Sequence, residues 1–174
     1  MFSYCPSCAS NKIEFKNNKV FKCPDCGFTY YHNTAAATGC VISSDDKVLL
    51  VVRAKDPGKG RYDLPGGFVD PGEGAVDALC REIKEELGWA PPPDADLRLF
   101  ASFPNTYPYK GVVYNTCDLF FSLSAPGLTE KDLTLATDEI DRAVFLRPEE
   151  IEENDIAFKS ARLALAAFFH LKKD

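Results

Sequence analysis

Apolar positions along this chain fall into three kinds of run. The shortest are Ile13 to Lys16 and Lys19 to Lys22, strand-like segments around Asn17-Asn18, with Phe28 to Tyr31 as a third. An Asn-Asn pair tolerates the positive φ of a tight hairpin turn, so these segments predict a small antiparallel unit. Longer extended runs follow: Ala36 to Ile42, Val48 to Arg53, Leu97 to Phe103, Val112 to Leu123 and Ala143 to Leu146. The polar turn Ser43-Ser44-Asp45-Asp46 separates the first two. A third kind carries helical period. In Gly74 to Leu87, residues Val76, Leu79, Cys80, Ile83 and Leu87 fall on one stripe at about 100° per residue. Gly88 stands where a left-handed cap ends such a helix. Ile156 to Leu171 reads as a closing amphipathic helix.

The connectors agree with this division. Asp56 to Gly60 is a charged loop, Pro65-Gly66-Gly67 interrupts an extended segment, and Pro91-Pro92-Pro93 is stiff. The order of elements predicts an α+β domain, a mixed sheet covered by helices as an α/β/α sandwich, over residues 34–174. Residues 1–33 hold few aliphatic side chains and cannot build a core unaided, so they are expected to form a separate small unit.

Composition narrows the function classes. Of 174 residues 45% are hydrophobic and 26% charged, the balance of a globular protein. A formal net charge of −6 argues against a general nucleic-acid binder, which normally carries a basic face. Met1-Phe2-Ser3-Tyr4-Cys5 has neither a basic n-region nor an apolar h-region, so no secretory signal is expected. No run approaches the roughly 18 apolar residues of a membrane span. Seven cysteines, an odd number, cannot all pair within one chain, and a cytoplasmic location with metal ligation is the expectation.

Four of those cysteines form two knuckles, Cys5-Pro6-Ser7-Cys8 and Cys23-Pro24-Asp25-Cys26, with 14 residues between them. Four thiolates brought together by a hairpin complete a closed tetrahedral Zn²⁺ shell, and the ion would replace the missing core. A rubredoxin-like iron site, disulfides and redox-active CxxC pairs use the same residues. Cys40, Cys80 and Cys117 read as small buried hydrophobes.

The most informative helix carries Glu82, Glu85 and Glu86 at i, i+3 and i+4. Like charges at these spacings cost roughly 0.2–0.5 kcal/mol per pair, and the helix dipole disfavours anions in the later turns. A solvated charged face has no need of such an arrangement. Hard divalent cations such as Mg²⁺, which take a few carboxylates plus waters and phosphate oxygens, would explain it.

From Gly67 to Trp89 the chain reads G, five residues, Glu73, seven residues, Arg81-Glu82, an aliphatic, any residue, Glu85-Glu86, any residue, Gly88, then an apolar residue. This resembles the signature of the Nudix hydrolases, with every fixed position filled. Upstream, Gly60-Arg61-Tyr62-Asp63-Leu64-Pro65-Gly66-Gly67 is similar to the family's approach loop, with Tyr62 where Trp is common. The resemblance implies that Glu82, Glu85 and Glu86 hold Mg²⁺ or Mn²⁺, and that Glu82 can also serve as general base. It implies that Arg81 and Glu73 pair to hold the loop and that the Gly66-Gly67 backbone comes close to metal and phosphates. Thr137-Asp138-Glu139-Ile140 resembles the segment that supplies an extra ligand or base, here Glu139.

A four-cysteine ribbon before this box resembles the NADH pyrophosphatase branch. That branch carries S-Q-P-W-P-F-P-x-S downstream; the corresponding stretch is Ser102 to Lys110, read as a proline- and aromatic-rich loop. It keeps Ser102, Pro104, an aromatic at Tyr107 and Pro108, and departs at the Gln, Trp, central Pro and final Ser. Tyr107 and Tyr109 are candidates to stack a base, and Arg53 is a candidate to meet phosphate. The expected activity is metal-dependent hydrolysis of the pyrophosphate in a nucleoside diphosphate linked to another moiety, of NAD(H) or ADP-ribose type. The small-molecule nucleotide is the expected partner, without nucleic acid or membrane, and a homodimer is an expectation by family analogy. The competing classes are a non-catalytic nucleotide-sensing or protein-docking Nudix module, and an RNA-binding protein led by the ribbon and its Lys12, Lys16, Lys19 and Lys22.

Overall fold

A computed structural model describes residues 2–17 and 19–171. The chain forms two compact units, Met1–Thr34 with Lys110–Val112, and Ala35–Tyr109 with Val113–Asp174. In the smaller unit β1 (Glu14–Lys16), β2 (Val20–Lys22) and β3 (Thr29–Tyr31) make an antiparallel sheet in that order. Asn17 takes φ 53°, as the turn requires, while Asn18 lies outside the described residues. Phe21, Cys5 and Cys23 are the buried apolar side chains of this unit, and Phe2 packs edge-on against Phe21 at 5.2 Å. That is too little surface for a conventional core.

The larger unit is built on β4 (Ala35–Ser44), β5 (Lys47–Arg53), β6 (Tyr62–Asp63), β7 (Arg98–Tyr109), β8 (Val112–Ser124) and β9 (Ile140–Leu146). The sheet runs β6-β5-β4-β8-β7, with β9 also paired to β5. β4 pairs parallel with β8 and antiparallel with β5, so the sheet is mixed. Alternation along β4 and β5 sends Cys40, Ile42, Leu49 and Val51 to one face and Val41, Val48 and Leu50 to the other. Helix α1 (Ala75–Leu87) covers the first face through Leu79, Ile83 and Leu87; helix α2 (Lys159–Leu171) covers the second through Ala161, Ala164, Leu165 and Phe168. This is the expected α/β/α sandwich. No helix among the described residues is long and apolar enough to cross a membrane.

Helix α1 starts after Gly74 and stops at Gly88, which takes φ 61° and donates its N–H to the Lys84 carbonyl. Four expectations need correction. Cys117 is exposed and Cys80 only partly buried, so of the three cysteines expected to be buried only Cys40 is. Ser102 to Lys110 is not a loop: β7 continues to Tyr109, because Pro104 and Pro108 lie on the sheet's edge strand, where a missing N–H costs no ladder bond. The closing helix begins at Lys159, since Ile156 bridges to Tyr62 and Ala157 donates to the Tyr62 carbonyl in extended form. Val76 is 45% exposed although it has the angle of the apolar stripe. Periodicity sets direction around the axis, not how far along it the opposing surface extends.

Two truncations on α1 separate these cases. Ile83→Ala, at a fully buried position, is expected to cost about 2–5 kcal/mol. Val76→Ala should stay within about 0.5 kcal/mol. Urea unfolding of both variants measures the difference, and equal losses would contradict this packing.

Candidate active site

Relative to Leu79, Glu86 sits only about 20° away around α1, just beside the apolar stripe on the side of buried Ala78, so the buried face of the helix extends over it. The side chain is accordingly 8% exposed. Its Oε2 accepts the Gly66 N–H at 3.0 Å. The Pro65-Gly66-Gly67 segment reaches it because it runs along β4: Cys40 donates to the Pro65 carbonyl at 2.9 Å and Thr38 to the Gly67 carbonyl at 2.8 Å. Only glycine fits at Gly66. Gly66 takes φ 142°, and a Cβ there would lie 2.2 Å from the Thr38 carbonyl oxygen. A Cβ on Gly67 would lie 2.5 Å from the Glu82 carboxylate. The backbone thus touches two of the three helix carboxylates.

Arg81 organises the rest. Its Nε and Nη2 donate to the two oxygens of Glu73 at 2.8 and 2.9 Å, and Nη2 also donates to the Phe68 carbonyl at 3.1 Å. Nη1 donates to Glu82 at 2.9 Å and Glu85 at 3.1 Å. One guanidinium therefore ties the loop before the helix to two of its acids. Glu139 accepts from Lys55 at 2.7 Å. Glu85 and Glu139 are exposed to solvent, while Glu82 is mostly covered.

The electrostatics single out Glu86. Burial pushes its carboxyl up to about 8, partly offset by the Gly66 hydrogen bond and reinforced by Asp63, Glu82 and Glu139 nearby. Burial also raises Glu82, against the pull of Arg81. Glu73 goes the other way, held low by Arg81. A buried carboxylate with a single N–H donor, facing other acids, is the donor set that a divalent cation stabilises.

Arg53 is largely engaged within the protein. It donates through Nε to the Pro57 carbonyl at 2.6 Å, through Nη1 to Asp63 at 2.8 Å and through Nη2 to the Tyr107 hydroxyl at 3.4 Å, and it lies 5.0 Å over the Phe158 ring. It thus positions the wall of a cleft that Gly66 and Gly67 also line. Tyr107 packs there between Phe68 (5.4 Å) and Phe158 (5.7 Å). Tyr109 lines a neighbouring depression with Ala35, Phe68 and Tyr114. Asp63, Asn105, Thr116, Asp118, Phe158 and Ser160 also face the main cleft and were not singled out by sequence reasoning. A strict period-two reading of Thr116, Asp118 and Phe120 would have marked the two polar residues as inward-facing. Burial pushes Asp63 up to about 6, even with Arg53 beside it.

In the smaller unit the sulfur atoms of Cys5, Cys8, Cys23 and Cys26 lie within 4.8 Å of one another. The Cys5–Cys26 and Cys8–Cys23 Sγ pairs are 3.6 Å apart, too far for disulfides and close to the roughly 3.8 Å edge of a tetrahedron with metal–sulfur bonds of about 2.3 Å. The quartet could hold a metal ion.

Comparison with known proteins agrees with this geometry. The NUDIX domain matches residues 33–167. An ADP-ribose pyrophosphatase of Methanocaldococcus jannaschii is 44% identical over 73 residues, covering 42% of this chain and 43% of that protein. The NAD-capped RNA hydrolase NudC of Stutzerimonas stutzeri is 29% identical over 85 residues, 49% of this chain and 30% of that one. The chain thus matches less than half the length of either curated relative. Among solved structures, a NUDIX hydrolase from Nitrosomonas europaea superposes with a TM-score of 0.63 at 24% identity, covering 94% of this chain and 88% of that one.

The Glu86 shift has a stability consequence. A carboxyl raised in the folded state holds a proton that the unfolded chain releases near 4.5, so its contribution is complete below that pH and is lost as pH rises towards 8. In chelator, Glu86→Gln should match the wild type at pH 5 and exceed it by a few kcal/mol at pH 8. Thermal melts across this range test it; parallel pH profiles for the two proteins would contradict the assignment.

Proposed function

The chain belongs to the Nudix family, and on that premise we propose that it is a divalent-cation-dependent hydrolase of a pyrophosphate bond. The substrate in this reading is a nucleoside diphosphate linked to a second moiety, of NAD(H) or ADP-ribose type. The observation that carries the proposal is the buried Glu86 carboxylate. It lies against the Gly66 backbone at the rim of an aromatic-walled cleft, with Glu82 beside it. The names of the two curated relatives share one chemistry, an adenosine diphosphate linked to another group, and this supports the substrate class.

Glu82, Glu85 and Glu86 would hold Mg²⁺ or Mn²⁺, which supplies charge neutralisation of the pyrophosphate and a bound water of lowered pKa. The protein's own groups do the rest. Glu82, raised by burial, would accept a proton from the attacking water. Arg81 and Glu73 fix the loop so that Gly66 and Gly67 can approach the phosphates without a side chain in the way. Glu139, tethered to Lys55 at the surface, is a further carboxylate that can turn towards the site. Tyr107 and Phe158 offer aromatic surface to the nucleoside. We assign Zn²⁺ to the cysteine quartet as a structural ion. Four unpaired thiols in tetrahedral arrangement also fit the reducing cytoplasm.

Two measurements test these assignments. With Mg²⁺ or Mn²⁺ the protein should release AMP from ADP-ribose or from NAD(H), and Glu86→Gln should lower kcat/KM by well over tenfold. A smaller loss would remove Glu86 from the metal site. Elemental analysis should find one zinc per chain in the native protein, and Cys23→Ser should lose it together with the small unit's fold. Full zinc occupancy in that variant would refute the quartet.

A further inference from the structure

The cleft contains polar atoms that the pyrophosphate chemistry leaves unused. β8 alternates Thr116, Asp118 and Phe120 onto the cleft face, and neighbouring β7 adds Asn105 and Tyr107. Thr116 is 3% exposed and Asp118 8%. Among the described residues, neither Thr116 Oγ1 nor Asp118 Oδ1 has a hydrogen-bond partner. The other carboxylate oxygen is fully occupied: Asn105 Nδ2 donates to Asp118 Oδ2 at 3.0 Å and Ser160 Oγ donates to it at 2.6 Å. Two donors from two different elements thus orient the carboxylate and leave Oδ1 buried and unpartnered on a residue that lines the cleft. Buried polar oxygens without partners are rare in folded proteins and point to a ligand that supplies the missing bond.

We infer that Asp118 and Thr116 read the amino edge of an adenine-type base, resting on the reading above that this cleft holds a nucleotide. Asp118 Oδ1 accepts from the exocyclic amine, and the Thr116 hydroxyl donates to a neighbouring ring nitrogen. Three features select this ligand. The aromatic rings of Tyr107 and Phe158 suit a flat heterocycle. Guanine would use both oxygens of a carboxylate for its adjacent N–H groups, and Oδ2 is already taken. A base with a carbonyl in place of the amine would put an acceptor against an acceptor, and a site built for a donor rejects such analogues strongly. Rotation of the Asp118 carboxylate would break both bonds on Oδ2 at once.

The test compares adenine with hypoxanthine, which differ at this edge. Binding of AMP and IMP is measured in chelator by calorimetry, and kcat/KM for ADP-ribose and its hypoxanthine counterpart is measured with Mg²⁺. The wild type should favour the adenine compound at least about tenfold in both, as expected for one hydrogen bond to a charged acceptor. In Asp118→Asn the amide oxygen can keep Asn105 and Ser160 while the amine faces the cleft, so the preference should fall below about threefold or reverse. Thr116→Val, which keeps the shape, should lower the ratio at least about threefold and carries the test if Asp118→Asn fails to fold. Equal binding of AMP and IMP by the wild type, no binding of either, or a preference that survives both substitutions overturns the inference. A base preference in binding that the substitutions abolish, with no turnover of either substrate, upholds the inference and removes the hydrolase reading instead.

Discussion

Everything at this site depends on placing a carboxylate inside an apolar helix face. Leu79, Ile83 and Leu87 dock α1 on the sheet, and Glu86 points between the directions of Leu79 and buried Ala78, so the packing that secures the helix also desolvates the acid. Among the described residues one N–H, from Gly66, answers that charge, and burial pushes the carboxyl up to about 8 in spite of it. The cost is structural in origin, because moving Glu86 to solvent would require turning the helix and exposing its apolar stripe. A cation held at this position, as proposed above, would relieve that cost without disturbing the packing. This also explains the two glycines. At Gly66 the backbone passes against β4, where no Cβ fits, and a Cβ at Gly67 would displace the Glu82 carboxylate.

Arg81 solves the opposite problem. Glu73, Glu82 and Glu85 would repel one another if left alone, yet their arrangement has to exist before any ion arrives. One guanidinium with five donors can hold a loop carbonyl and three carboxylates together in a fixed geometry. Lysine, a point charge without the fork, could not bind Glu73 through both oxygens while reaching Glu82. The result is graded: Glu73 is bound tightly and held low, whereas Glu85 stays exposed at the end of a single bond.

How far all this can be read in the sequence follows from the range of the interactions involved. The helix, its glycine cap and the glutamate spacing are local, and so are the two cysteine knuckles; each was legible because a few neighbouring residues determine it. Val76 misled because angle is local but the extent of the opposing surface is not. The β7 extension was hidden because Pro104 and Pro108 look like breakers until the strand is known to lie at an edge. Asp118 was harder still. Its orientation depends on Asn105 thirteen residues before it and Ser160 forty-two residues after it, a coincidence of β7, β8 and the start of α2. Nothing within a short window records it.

The two buried acids of the cleft show how one chemical group can be given different tasks. Asp63 is paired with the Arg53 guanidinium, which in turn touches Tyr107 and covers Phe158, so its charge is spent on holding the wall together. Asp118 receives only neutral donors, an amide and a hydroxyl, on one oxygen. Neutral donors orient the carboxyl through one oxygen and leave the other to discriminate between a donor and another acceptor. Swapping the surroundings of these two residues would give a salt bridge where the base edge should be read and an unanchored wall beside Tyr107. The division between a structural acid and a reading acid therefore lies in their partners, and those partners come from elements that only the folded sheet brings together.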